Sequence, residues 1–346
     1  MPSISNSSPK ILVSGANGFI GTWIVRVLLK RGYSVRAAVR NEAKGKPLLE
    51  AYRSYGDKLQ LWVVGDIGKD GAFDEAVQGV DGIIHAASPI NVTVAEPKEI
   101  IQPAVKGVVG MLTSAFKHGS SVQRIVFTSS CAAILPLSVE SVTVSEMNWN
   151  EASIIECDEK GKDASRLSKY SASKTLAEKA AWDFYEKHKS EVNWDISVIN
   201  PPWVFGPVIH DVTTVDTLNS SCKRWYDALA KGDFGGYSPL TSPGHGWADV
   251  RDVAEAHVRA LEVPAAGSER IIICAGSFVW QDWLDVANSM SPYPWPSNTL
   301  AIGTPGAIQR AITFDTSKEK EILGIKFKTM EELTRDTLAD YERRGW

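Results

Sequence analysis

KILVSGANGFIG, residues 10–21, runs from a short apolar stretch into a loop with glycines at 15, 18 and 21. The segment after it has apolar residues at 24, 25, 27, 28 and 29 and stops at Gly32. The first stretch has the length of a strand, and the second has the spacing of a helix with a glycine just past its end. Strand, glycine loop and helix in this order form a dinucleotide-binding fingerprint. Gly15 permits a tight turn, Gly18 lets the backbone approach a pyrophosphate, and Gly21 lets the helix pack closely on the sheet. The helix N-terminus adds free N–H groups and a partial positive charge for the phosphates. Gly15, Asn17, Gly18, Phe19 and Ile20 are therefore the expected cofactor contacts of the loop.

The same alternation continues outward. Residues 34–39, 59–64, 82–86, 124–128 and 195–199 read as further strands, and helices are predicted over 22–31, 72–77, 100–117 and 167–188. Short strands alternating with longer helices imply right-handed crossovers and a parallel sheet covered on both faces, a doubly wound Rossmann α/β fold. After Asn200 the texture changes: residues 201–246 are rich in Pro, Gly, Trp and Tyr, with one helix-like stretch over 218–230. Helical patterns return at 250–261, 280–290 and 330–343, with a strand at 270–275. The expected division is a cofactor-binding domain of residues 1–200 plus about 246–275. Residues 201–245 and 276–346 would form a smaller, interleaved C-terminal substrate lobe.

Composition narrows the function. The 346 residues are 44% hydrophobic and 23% charged, with a formal net charge of −4, ordinary globular values. The acidic balance argues against nucleic acid or an acidic membrane surface as partner, so a bound anion must be held by a few placed groups. Residues 1–9 lack the basic start and apolar run of a signal peptide, and no apolar stretch approaches a membrane span, so a cytoplasmic protein is expected. Cys131, Cys157, Cys222 and Cys274 show no paired spacing and read as reduced, buried thiols. The six histidines lack ligand spacing, so no metal is expected. The expected assembly is a monomer or homodimer.

The second strand identifies the cofactor. NAD-binding turns offer a carboxylate there for the ribose 2′-hydroxyl. Here the strand ends Val39-Arg40-Asn41, with Lys44 four residues after Arg40. Cations at that point suit a 2′-phosphate, which favours NADPH over NADH. Asp66 and Ile67, after the third strand, are placed to flank an adenine ring, and the small residues Ala86, Ala87 and Ser88 let the backbone lie along the cofactor.

Catalytic candidates come from two further stretches. Tyr170-Ser171-Ala172-Ser173-Lys174 opens a predicted helix, and the spacing of four puts Tyr170 and Lys174 on one face. An ammonium and an oxidised nicotinamide beside the phenol would favour the phenolate. A drop of roughly 3 units corresponds to about 4 kcal/mol and would let Tyr170 act as general acid in reduction. Ser130 follows the fifth strand, at the carboxyl edge where such sheets bind ligands, and can donate to a substrate oxygen.

Taken together, the sequence resembles the extended short-chain dehydrogenases/reductases, most of all the branch of plant dihydroflavonol 4-reductases and fungal methylglyoxal and carbonyl reductases. The motifs are GANGFIG at 15–21, VR-x3-K ending at Lys44, Asp66-Ile67, HAASP at 85–89 and FTSS at 127–130. YSASK at 170–174, NPPWVFGP at 200–207, LNSSC at 218–222 and DVRDVAEAH at 249–257 follow. The resemblance implies a Ser130–Tyr170–Lys174 triad, with Lys174 also bonding the cofactor ribose. It further implies cofactor contacts from Pro201, Val204 and Ser221, and 2′-phosphate contacts from Arg40 and Lys44. No flavonoid-recognising pattern is found at 90–94, which favours the fungal carbonyl reductases.

A small carbonyl compound is the expected substrate. Candidate pocket walls are Ile90, Ala132, Ile134, Trp203, Phe205, Trp225, Phe234 and Tyr237; the many aromatics, among 12 tryptophans, could equally pack the smaller lobe. Two other readings share the fold: an NAD-dependent nucleotide-sugar epimerase or dehydratase, and a non-catalytic NADP(H)-sensing regulator. Arg40 and Lys44 count against the first, and the joint presence of Tyr170 and Lys174 against the second.

Overall fold

The computed structural model describes residues 4, 8–88, 94–136, 142–242 and 246–346. Among them a seven-stranded parallel sheet runs in the order 59–63, 34–39, 10–14, 82–85, 124–128, 195–200, 270–272. From Lys10–Ser14 the chain first builds outward on one side and then crosses to Gly82–His85 on the other. The carboxyl ends of these two central strands thus flank the switch point, where sheets of this kind bind ligands.

The five strands inside the sheet are largely apolar and buried on both faces, as a helix-covered parallel sheet requires. One face packs against the helices Lys98–His118 and Arg166–His188 through Leu12, Ile83, Met111, Leu112 and Phe127. The other carries the helices Phe19–Lys30 and Val250–Glu262, and its core continues into the C-terminal region without a break. There Phe205, Trp225, Trp247, Phe278, Trp280 and Trp283 form an aromatic cluster with ring centroids 5.2–6.3 Å apart. A small sheet spans this region: Trp203–Phe205 lies parallel to Gly246–Asp249, which pairs antiparallel with Gly276–Ser277.

One expectation needs correction. Residues 72–77 form turns, not a helix. Gly71 and Gly79 bracket them at φ +74° and +64°, and the Arg36 guanidinium donates to the carbonyls of Ala76 and Gln78 at 2.7 Å. A helix that the sequence reading did not assign, Glu42–Ala51, follows Arg40. Asn41 caps it by accepting from Lys44 N at 3.0 Å, and Gly45 fits because a Cβ there would lie 2.6 Å from Leu61 Cδ1. No helix of the described residues is long and apolar enough to cross a membrane, and none of their His, Cys, Asp and Glu side chains gather as a metal site.

Candidate active site

The glycine loop is held by close backbone contacts. Gly15 sits at φ +66°, where an added Cβ would lie 2.9 Å from Ala87 N. A Cβ on Gly21 would lie 2.0 Å from the Gly15 carbonyl oxygen, so no side chain fits where helix meets turn. Gly18 N donates to Gly15 O at 2.9 Å, and Gly18 is exposed. It opens a 12-residue helix with no side-chain cap on its first N–H groups. A dinucleotide pyrophosphate fits this cradle: small, open, and edged by unpaired donors. Asn17 and Ile20 are half-buried beside it, and Phe19 is buried.

Arg40 and Lys44 are exposed just beyond the second strand. Lys44 shares a cleft of about 250 Å³ with Asn17 and Thr22, so the basic turn and the glycine loop border one space. Asp66 is exposed and accepts from Gly68 N at 2.9 Å, while Ile67 packs over Gly107. Ser14 Oγ accepts from Ala87 N at 3.1 Å and meets His85 Nδ1 at 2.8 Å, tying the glycine loop to the Ala86–Ser88 segment. His85 is fully enclosed; burial, with help from the Lys174 charge, pulls it down to about 3, so it is neutral at any working pH.

The three catalytic candidates meet at the carboxyl edge of the sheet. Ser165 caps the helix Arg166–His188 by accepting from Ser168 N at 3.0 Å. One turn in, Lys174 Nζ lies 5.9 Å from the Tyr170 ring centroid and donates to Ser88 Oγ at 3.1 Å. The Ser130 side chain faces the Tyr170 phenol, and its Oγ accepts from Ala132 N at 3.1 Å. Successive strand residues point to opposite faces, so the neighbouring Ser129 turns away from Tyr170 and toward Glu178.

Burial sets the charge states of this pair. Burial raises the Tyr170 phenol above its ordinary value, with only the Ser130 side chain pulling it down. Lys174 is itself lowered to about 8 by burial, which Glu178 opposes. The lowering expected from Lys174 together with an oxidised nicotinamide is not supplied by the protein's own groups: Lys174 Nζ stands 5.9 Å from the ring centroid and donates to Ser88 Oγ.

The remaining candidates divide. Ser221 Oγ donates to Val204 O at 2.7 Å, and Pro201 O accepts from Cys131 N at 2.9 Å, so all three stand on elements flanking Ser130. Ala132 and Trp203 are half-buried near the triad's elements. Phe205 and Trp225 are 1% exposed, inside the aromatic cluster, where their rings are taken up by packing. Ile134 is fully buried against Val144, Ile272 and Phe314. Phe234 packs on the main core, and Tyr237 is 44% exposed. Ile90 lies outside the described residues.

Sequence reasoning passed over the buried polar groups behind the triad: Glu178, Asn200 and Arg270. Only the i+4 spacing of Glu178 from Lys174 could have drawn attention to it.

Comparison with known proteins accords with this geometry. The chain is 36% identical over 343 residues to the NADPH-dependent methylglyoxal reductase GRE2 of Saccharomyces cerevisiae, covering 95% of this chain and 97% of that one. It is 35% identical over 343 residues to the ketoreductase azaE of Aspergillus niger, covering 95% and 96%. The crystal structure of yeast methylglyoxal/isovaleraldehyde reductase Gre2 complexed with NADPH superposes with a TM-score of 0.83 at 34% identity, covering 97% of this chain and 99% of that one. The model of the NAD dependent epimerase/dehydratase family matches residues 11–276, and the chain belongs to that family.

Proposed function

We propose that the protein is an NADPH-dependent carbonyl reductase that converts an aldehyde or ketone to an alcohol. The observation that carries this reading is the meeting of Tyr170, Lys174 and Ser130 beside the Ala86–Ser88 segment, which is itself tied to the glycine loop. The yeast relative's name as an NADPH-dependent methylglyoxal reductase supports it.

When bound, NADPH supplies the hydride that reaches the carbonyl carbon. Gly15, Asn17, Gly18, Phe19 and Ile20 would hold the pyrophosphate side, and Arg40 and Lys44 the 2′-phosphate. Asp66 and Ile67 would border the adenine, and Ala86, Ala87 and Ser88 the ribose side. Pro201, Val204 and Ser221 would lie toward the nicotinamide. Ser130 donates to the substrate oxygen, and Tyr170 delivers the proton there as negative charge develops. Because its phenol is held high, Tyr170 keeps that proton until the transfer. Lys174 would orient the ribose and supply the positive charge that stabilises the phenolate left behind. Alignment and preformed donors account for most of the rate, without covalent chemistry.

Residues 201–245 and 276–346 are assigned to the substrate side, and 1–200 with about 246–275 to the cofactor side. Ala132 and Trp203 are the strongest wall candidates, since their side chains are only half-buried. The four cysteines are free and buried, which suits a reducing cytoplasm, with the protein working as a monomer or homodimer.

The purified chain should consume NADPH when given activated ketones and aldehydes, read from the absorbance of the reduced cofactor. Silence across a broad carbonyl panel would overturn the reading. NAD retained through purification would point to the epimerase or dehydratase chemistry also found in the family.

A further inference from the structure

Glu178 stands one helical turn beyond Lys174 and has no exposed surface. Three elements converge on its carboxylate: Ser129 Oγ donates at 2.5 Å, Asn200 Nδ2 at 2.8 Å and Arg270 Nε at 2.5 Å. The Asn200 amide also reaches the Ser130 carbonyl at 3.3 Å. Arg270 in turn lies 3.6 Å over the Trp149 ring and donates to the carbonyls of Glu146 and Asn148. This one carboxylate therefore joins the helix of Tyr170 and Lys174 to the strand ends at Ser129, Asn200 and Arg270.

A buried carboxylate persists only where cations and donors compensate its desolvation. Arg270 is one such cation. Lys174, on the same helix, faces it from the catalytic side, bonded directly to Ser88 rather than to the acid. We infer that Glu178 is a positioning residue that keeps Lys174 in its ammonium form and holds Ser130 in register with Tyr170.

The groups facing Lys174 are Tyr170 and Glu178 on its own helix and His85 from the neighbouring strand. Cys131 lies against Tyr170, and Arg270 stands behind Glu178. His85 is neutral and Tyr170 protonated near neutrality, which leaves Glu178 as the negative charge acting on Lys174. Burial already draws Lys174 down to about 8, so losing that charge brings its deprotonation into the range where the enzyme would work.

The importance of Lys174 rests on the reductase reading, so the test measures its proton and not turnover. The full chain is acetylated with acetic anhydride across a pH series, and modification of Lys174 is followed by mass spectrometry with exposed Lys46 as internal control. In Glu178→Gln the midpoint should fall by about one pH unit or more, while Glu178→Asp, which keeps the charge, stays near the parent. An unchanged Lys174 midpoint in folded Glu178→Gln overturns the inference. If Glu178→Gln strands Arg270 and fails to fold, the double variant Glu178→Gln/Arg270→Gln is compared with Arg270→Gln alone: a lower Lys174 midpoint in the double variant supports the inference, and an equal one overturns it. A Glu178-dependent midpoint in a protein that reduces no carbonyl would sink the reductase reading alone.

Discussion

Tyr170 and Lys174 were legible in the sequence because a spacing of four is a statement about one helix face. Their charge states were not, because burial is set by elements far away in the chain. Tyr170→Phe removes the proposed proton donor and little else, so kcat should fall by roughly 10²–10⁴-fold while NADPH affinity holds. Unchanged turnover would reassign the acid. Arg40 is exposed beyond the second strand, without an ion pair among the described residues. Arg40→Asp should weaken NADPH binding about 10- to 100-fold, the size of one or two lost charge-assisted bonds, and shift preference toward NADH. An unaltered cofactor ratio would remove Arg40 from the 2′-phosphate contact. Glu178 escaped notice because its partners lie 22 to 92 residues away, and no local pattern announces them.

Among the elements, the central strands could be read closely because each is a short, largely apolar run between loop residues. The helix Glu42–Ala51 could not: Gly45 and Pro47 interrupt its pattern, and its small glycine is explained only by Leu61 lying against it. The helix Val250–Glu262 carries a further consequence. Asp252 near its start is raised to about 7, mainly by burial, while accepting from Lys328 N at 2.7 Å. Its folded value lies above the unfolded one, so the folded state holds the extra proton. The stability this confers is complete below pH ~4 and is lost as pH rises toward about 7. Asp252→Asn can still accept from Lys328 N but does not titrate. The variant should therefore gain on the parent by about 2–4 kcal/mol between pH 4 and 8, measured by urea unfolding. His85 and His257, lowered to about 3 and about 4, bias stability the other way but cancel in the comparison. A pH-independent difference would contradict this account.

Across the molecule, the aromatic residues after Asn200 were visible as a composition, but their division between pocket and core was not. Phe205 and Trp225 proved to be packing residues because the Trp283 ring lies between them, 5.5 and 5.9 Å away. The core containing them continues under the nucleotide-side helix through Trp23, whose indole N–H donates to Pro207 O at 3.0 Å. Cofactor side and substrate side thus share one apolar interior and should unfold together. Trp283→Ala, which empties a fully buried site, should cost about 3–5 kcal/mol and shift one cooperative transition. A separate early transition would instead mean that the C-terminal region folds alone.

The same continuity brings the proposed proton donor and the glycine cradle to one edge of the sheet, and hydride transfer there is the claim on which the rest depends. Its most direct measurement supplies NADPH carrying deuterium on the transferable face of nicotinamide C4, together with a reactive ketone, and weighs the alcohol formed. The account predicts one deuterium on the carbinol carbon, with the same label appearing far more slowly from Tyr170→Phe. Alcohol formed without the label, or no alcohol from any carbonyl offered, would contradict it.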